Sequence, residues 1–133
     1  MAVVSPSIIT THPAQAAIEA GQLVKLVSGA VRPVNSQSDL PFGIALDDVP
    51  PGRIVGVVQC GSGYFCTSKF GDSVLFAQPG DPVYSYGDGW LIMAPTSGVY
   101  WNVGQCVTLQ SESYFERGHR IQFTLRTPIL ESF

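Results

Sequence analysis

The sequence predicts an all-β domain, a small β-sandwich or barrel carrying an extended N-terminal arm. Three observations point there. First, nine or ten short, β-branched or aromatic stretches alternate with turn residues at intervals of about 8–12 residues, the spacing of antiparallel all-β folds. Second, a glycine is followed four times by Gln or Asp, any residue and valine: Gly21-Gln22-Leu23-Val24, Gly71-Asp72-Ser73-Val74, Gly80-Asp81-Pro82-Val83 and Gly104-Gln105-Cys106-Val107. Glycine takes positive φ without steric cost, the polar residue bonds nearby backbone, and the valine opens a pleated stretch. Each copy, Gly104 included, is therefore expected to be a turn that feeds a strand. The copies start 50, 9 and 24 residues apart, too unevenly for a solenoid. Third, Ile121, Phe123 and Leu125 alternate with polar residues at a clean period of two.

The elements follow in order. Residues 1–20 stand apart as an arm: the first thirteen are apolar, interrupted by Pro6 and Pro13, and free of charge except at His12. Proline at both places excludes a helix and no hairpin partner lies nearby, so the arm is expected to stay extended and to need a surface to lie on. Val3, Val4, Pro6, Ile8 and Ile9 are its candidate contact residues. Ala14 to Ala20 suggests a short helical turn ended by Gly21. The body spans residues 21–127. Leu23 to Val27 and Ala30 to Val34 flank Ser28-Gly29, a two-residue hairpin signal. Phe42 to Leu46 reads as a short strand, and Ile54 to Cys60 as the strongest and most buried one. Gly61-Ser62-Gly63 turns the chain into Tyr64-Phe65-Cys66. Val83 to Tyr86 and Trp90 to Met93 flank Gly87-Asp88-Gly89 as a second hairpin. Val99 to Trp101 precedes the last glycine copy, and the last period-two strand ends near Arg126. Residues 128–133, released by Pro128, are expected to form a free C-terminal tail and a second candidate docking arm.

Composition narrows the function. The 133 residues make one domain, with a normal 45% hydrophobic share but only 13% charged residues, against about 25% in an average soluble domain. So little charge suits an outer surface that largely meets other protein. The net charge is −3, and no two of the seven basic residues are adjacent, so a nucleic-acid partner is not expected. No stretch approaches the ~20 apolar residues that span a bilayer, so no membrane partner is expected either. The N-terminus lacks the pattern of a secretory signal, and Cys60, Cys66 and Cys106 form no C-x-x-C motif. Synthesis in a reducing cytoplasm is expected, with the three thiols as small buried hydrophobes.

The residues of catalysis are sparse. His12 lies in the arm, and His119 sits between Arg117 and Arg120 in a polar stretch with no partner in sequence that would make it a general base. Asp47 and Asp48 lack the spacing of a calcium loop and read as a turn held by carboxylate–backbone bonds. Gly61-Ser62-Gly63 lacks the helix that a phosphate site needs. No catalytic residue, metal or cofactor is expected. The aromatics Tyr84, Tyr86, Trp90, Tyr100 and Trp101 have two readings: core and subunit interface, or a platform for a sugar.

Several of these stretches carry a resemblance. Ala20 to Leu26 with Val31 and Pro33, then Pro41-Phe42-Gly43-Ile44-Ala45-Leu46-Asp47-Asp48-Val49, then Gly52 and Val55 to Gly61, together resemble the small capsid decoration (cement) proteins of tailed bacteriophages. The resemblance covers about residues 17–110, apart from the stretch from Trp90 to Trp101. It implies a β-rich body, commonly trimeric, made in the host cytoplasm and bound to the outer capsid surface of the virion. It implies the major capsid protein and further copies of the chain as partners, and a clamp that holds neighbouring capsid subunits against internal DNA pressure. On this reading the protein is no enzyme, the arm binds the capsid, and the aromatics face the trimer or a ligand. The alternative is a carbohydrate-binding β-module used in adhesion.

Overall fold

The computed structural model describes residues 9–63, 65–72, 78–93, 95–108, 118 and 120–133. Ten strands appear among them, in two five-stranded antiparallel sheets that divide the chain into halves. The first sheet has the order β1-β5-β4-β2-β3, with β1 at Ile9–Pro13, β2 at Leu23–Val27, β3 at Ala30–Pro33, β4 at Gly43–Ala45 and β5 at Ile54–Gln59. The second has the order β6-β10-β9-β7-β8, with β6 at Phe65–Lys69, β7 at Pro82–Ser85, β8 at Leu91–Ile92, β9 at Val99–Thr108 and β10 at Arg120–Ser132. The expected all-β sandwich is what the chain forms.

Each sheet also curls back on itself. Ala14, just past β1, bridges to Val31 in β3, and the Gln15 N–H donates to the Val31 carbonyl at 2.8 Å. Phe70, just past β6, bridges to Leu91 in β8, and the Gly71 N–H donates to the Leu91 carbonyl at 2.7 Å. In both sheets the outermost strands therefore meet at one end, which shortens the free edges that would recruit other chains.

Alternation along the first sheet loads both of its faces. Leu23, Ile44 and Val58 join Phe70, Val83, Leu91, Val103, Phe123 and Leu125 in a core shared with the second sheet. Their neighbours Val24, Ala45 and Val57 turn the other way, into a second core with Ala14, Ile18, Val31 and Val55. A period of two with both faces apolar is why these strands read as continuous hydrophobic runs. Each fully buried side chain of this kind contributes about 1.5–3 kcal/mol relative to exposure. At the joint, Ser68 Oγ donates to the Gly21 carbonyl at 2.7 Å. Gly21 has φ +89°, and a Cβ there would lie 2.7 Å from the Thr67 carbonyl oxygen. Only glycine lets the two halves approach so closely.

The hairpins fall where expected. Ser28 and Gly29 both have positive φ (51° and 81°), the geometry that joins β2 to β3 through two residues. Four other expectations need correction. Residues 9–13, read as part of a detached arm, pair with β5 from Ile9 opposite Val58 to Pro13 opposite Ile54. Residues 14–20 form no helix: Ala14 and Ile18 are buried core, and Ile18 exchanges two hydrogen bonds with Val49. Residues 129–132, read as a released tail, continue β10 and pair with Asn102 to Val99 in β9, because a register shift absorbs Pro128. Finally, Gly104 lies inside β9 and has no positive φ. A Cβ there would collide with the Thr124 carbonyl of β10, so the glycine serves strand packing where a turn was expected. Gly21 and Gly80 do have positive φ and feed β2 and β7. The strand expected at Val74 lies outside the described residues.

Candidate functional site

The five aromatics singled out in the sequence separate into three places. Tyr84 and Tyr100 are buried, packing edge-to-face against one another and against Phe133 at centroid separations of 5.2–6.5 Å. The Tyr84 hydroxyl donates to Glu131 Oε1 at 3.1 Å, and Asn102 Nδ2 donates to Glu131 Oε2 at 2.9 Å. Burial first, then the hydrogen bond and charge of Glu131, push the Tyr84 phenol up to about 12. This cluster pins the end of β10 to β7 and β9 and is structural.

Tyr86 and Trp90 flank the Gly87–Gly89 turn and open, half-buried, into a polar cleft of about 550 Å³. Asn35, Ser36 and Gln37 close one side, and Gly71, Asp72, Gly87 and Asp88 complete the wall. Lys69 holds its ammonium 4.9 Å above the Trp90 ring and 3.2 Å from Glu19.

Trp101 lines a different depression, an apolar groove of about 630 Å³ with Leu26, Leu40, Pro41, Phe42 and Pro128. Its indole N–H donates to the Ser38 carbonyl at 3.0 Å. Leu40 is 58% exposed and Leu26 46%. One loop thus separates the two depressions: residues 35–37 face the cleft and residues 40–42 the groove. The loop is tied at Asp39, whose carboxylate accepts from Lys25 at 2.9 Å and from the Asn35 and Ser36 N–H groups. Burial opposes its charge, but Lys25 and the two N–H groups together hold it below the ordinary carboxylate value.

Of the arm residues, Val3, Val4, Pro6 and Ile8 lie outside the described residues, and Ile9 opens β1 with its side chain half exposed beside Ile44, Leu46 and Val58. His119 also lies outside them. Asp48 accepts from the Ala20 N–H at 2.7 Å, a structural bond across the first sheet. Among the described residues no three His, Cys, Asp or Glu side chains cluster as metal ligands. Cys60, Cys66 and Cys106 form no disulfide with one another, and burial is the main force raising their thiols to about 12, 11 and 11. Sequence reasoning missed Asn35, Gln37, Asp72 and Asp88 in the cleft and Leu26, Leu40 and Pro128 in the groove.

No protein-family model matches the chain, and no curated protein matches it in sequence. Among solved structures, the chain is similar to the one described as the crystal structure of head fiber gp8.5 N base in bacteriophage phi29. The TM-score is 0.60 at 16% identity, covering 93% of this chain and 98% of that one. At that identity the likeness is one of fold.

Proposed function

We propose that the protein is a structural component of a phage virion: a decoration protein that binds the outer surface of the head as a trimer and clamps adjacent capsid subunits. The observation that carries this reading is the end-to-end similarity of fold to a head fiber base. It joins independent features of the chain itself. Charged residues are scarce, and Leu26, Leu40, Ile54, Leu130 and Phe133 are exposed apolar side chains on a body whose cores are already filled. Exposed apolar surface on this scale marks sites of protein association.

The Trp101 groove is the proposed contact with the major capsid protein. It is apolar, fixed in shape by the Asp39–Lys25 tie, and centred on a half-buried tryptophan, the kind of anchor that dominates protein interfaces. The residues before β1, with Val3, Val4, Pro6 and Ile8, extend the contact from an exposed point of the first sheet. In a trimer three weak contacts act together, since each engagement raises the effective concentration of the next.

Co-sedimentation tests this. Expanded, DNA-free heads of the phage whose virion carries this chain should take it to the pellet, and Trp101→Ala should weaken retention at least tenfold. Wild-type protein that remains in the supernatant contradicts the reading.

A further inference from the structure

We propose that the outer edge of β10, from Ile129 to Phe133, takes an extended, uncharged segment of the major capsid protein as an added β-strand. This names how the capsid would be held, and it rests on the reading of the Trp101 groove as the capsid contact. β10 is thirteen residues long, but its neighbour β6 has only five and pairs with Arg120 to Thr124. The second half of β10 has β9 on one side and, among the described residues, no strand on the other. The register decides which groups face that open side. Phe133 and Gly98 exchange both backbone hydrogen bonds, at 2.8 and 3.2 Å. Bonded and non-bonded pairs alternate along an antiparallel ladder. Glu131 and Ile129 therefore bond Tyr100 and Asn102, while Leu130 and Ser132 turn their N–H and C=O groups away from β9. None of those four groups has a hydrogen bond among the described residues.

Strand edges are ordinarily blunted by lysine, proline, a bulge or a covering segment. The two sheets shorten their outermost edges through the Ala14–Val31 and Phe70–Leu91 bridges. The end of β10 has no such protection. From Ile129 to Phe133 there is no Lys, Arg or Pro, and the register shift lies before Ile129. Ile129 and Leu130, consecutive and therefore on opposite faces, are 44% and 50% exposed. An edge open on both faces, with its outward backbone groups unspent, is a template for another strand.

Position, charge and symmetry select the occupant. Leu130 lies opposite Trp101 in a non-bonded pair, where cross-strand side chains approach most closely, and Pro128 lines the Trp101 groove itself. Edge and groove are thus one continuous surface, turned toward the same partner. Glu131 is the one charged residue from 129 to 133, and Tyr84 and Asn102 already hold its carboxylate. Nothing on the edge attracts a charged segment. The segment that fits carries apolar side chains on both faces, beside Leu130 on one and beside Ile129 and Phe133 on the other. Five paired residues make a contact of about 17 Å. A second copy fits less well, because two copies joined through this same edge are related by a two-fold axis, which a trimer lacks.

The test is co-sedimentation of the full chain with expanded, DNA-free heads of the phage whose virion carries it. Ser132→Pro removes one outward N–H and no hydrogen bond described within the protein, a change that an edge strand tolerates. It should keep the wild-type melting temperature and lower retention at least tenfold. Ser132→Ala keeps the N–H and should be retained as the wild type is. Hydrogen exchange on the unmutated protein gives a second readout that stands even if the proline variant unfolds. The Leu130 and Ser132 amides should exchange at least tenfold more slowly on heads than in the free protein. Full retention of a folded Ser132→Pro, equal loss in Ser132→Ala, or unchanged exchange at those two amides overturns strand addition. The capsid reading survives such a result if heads retain the wild type and release Trp101→Ala. A Ser132→Pro protein whose mass in solution alone falls to that of a monomer would assign the edge to a second copy and overturn the proposal. Wild-type protein left in the supernatant overturns both.

Discussion

At Gly104 one missing side chain decides whether β9 and β10 can lie together. A Cβ there would strike the Thr124 carbonyl and come within 2.9 Å of the Phe123 ring. Gly104→Val is therefore expected to cost about 1–3 kcal/mol through overpacking, seen as a lower melting temperature; an unchanged one contradicts the packing described. The same glycine marks a limit of the sequence. A glycine before a polar residue and valine looks alike whether it turns the chain, as Gly21 and Gly80 do, or lets a neighbouring strand approach. A second residue-scale prediction concerns alkaline pH. The folded state holds Tyr84 at about 12, against an ordinary 10.0, and Cys60, Cys66 and Cys106 at about 12, 11 and 11, against 9.0. All four are stabilised in the neutral form, so their contribution is complete below the ordinary values and is lost as pH rises through the folded ones. The melting temperature should fall between pH 9 and pH 12. A flat profile across that window contradicts the burial of these groups.

Among the elements, β1 departs most from its reading in the sequence. Its extended, proline-bounded character was legible, but its partner β5 lies more than forty residues away, and nothing local announces that pairing. The β2–β3 and β7–β8 hairpins were legible because two or three residues specify each turn. The cleft was hidden for the reason β1 was: residues 35–37, 71–72 and 86–90 meet only once both sheets have formed. The Tyr86 and Trp90 half of it carried a signal, and the polar loop opposite carried none. Pairing also changes what a truncation does. Removing residues 1–13 takes away β1 and uncovers β5, so circular dichroism should report a body with a markedly lower melting temperature. Removing residues 1–8 leaves every described strand in place and should keep the wild-type melting temperature while weakening head binding at least tenfold. A 1–13 deletion as stable as the full chain would mean that β1 contributes nothing to the sheet.

For the whole molecule, two filled cores coexist with an outer surface poor in charge and studded with exposed Leu26, Leu40, Ile54 and Leu130. Such a body is expected to associate with copies of itself, and light scattering should give a mass near three times 14.2 kDa. A species that is monomeric both free and on heads contradicts the trimeric clamp. The two depressions beside the loop at residues 35–42 differ in character, one an apolar groove around Trp101, proposed to meet the capsid, and the other a polar cleft beside Trp90. Cryo-electron microscopy of heads incubated with the purified protein, compared with bare heads, tests the central claim most directly. The expected result is added density on the outer surface, in sets of three, that fits the two-sheet body with the Trp101 groove against the shell. Heads indistinguishable from bare ones at saturating protein, or density with the groove turned away from the shell, would contradict it.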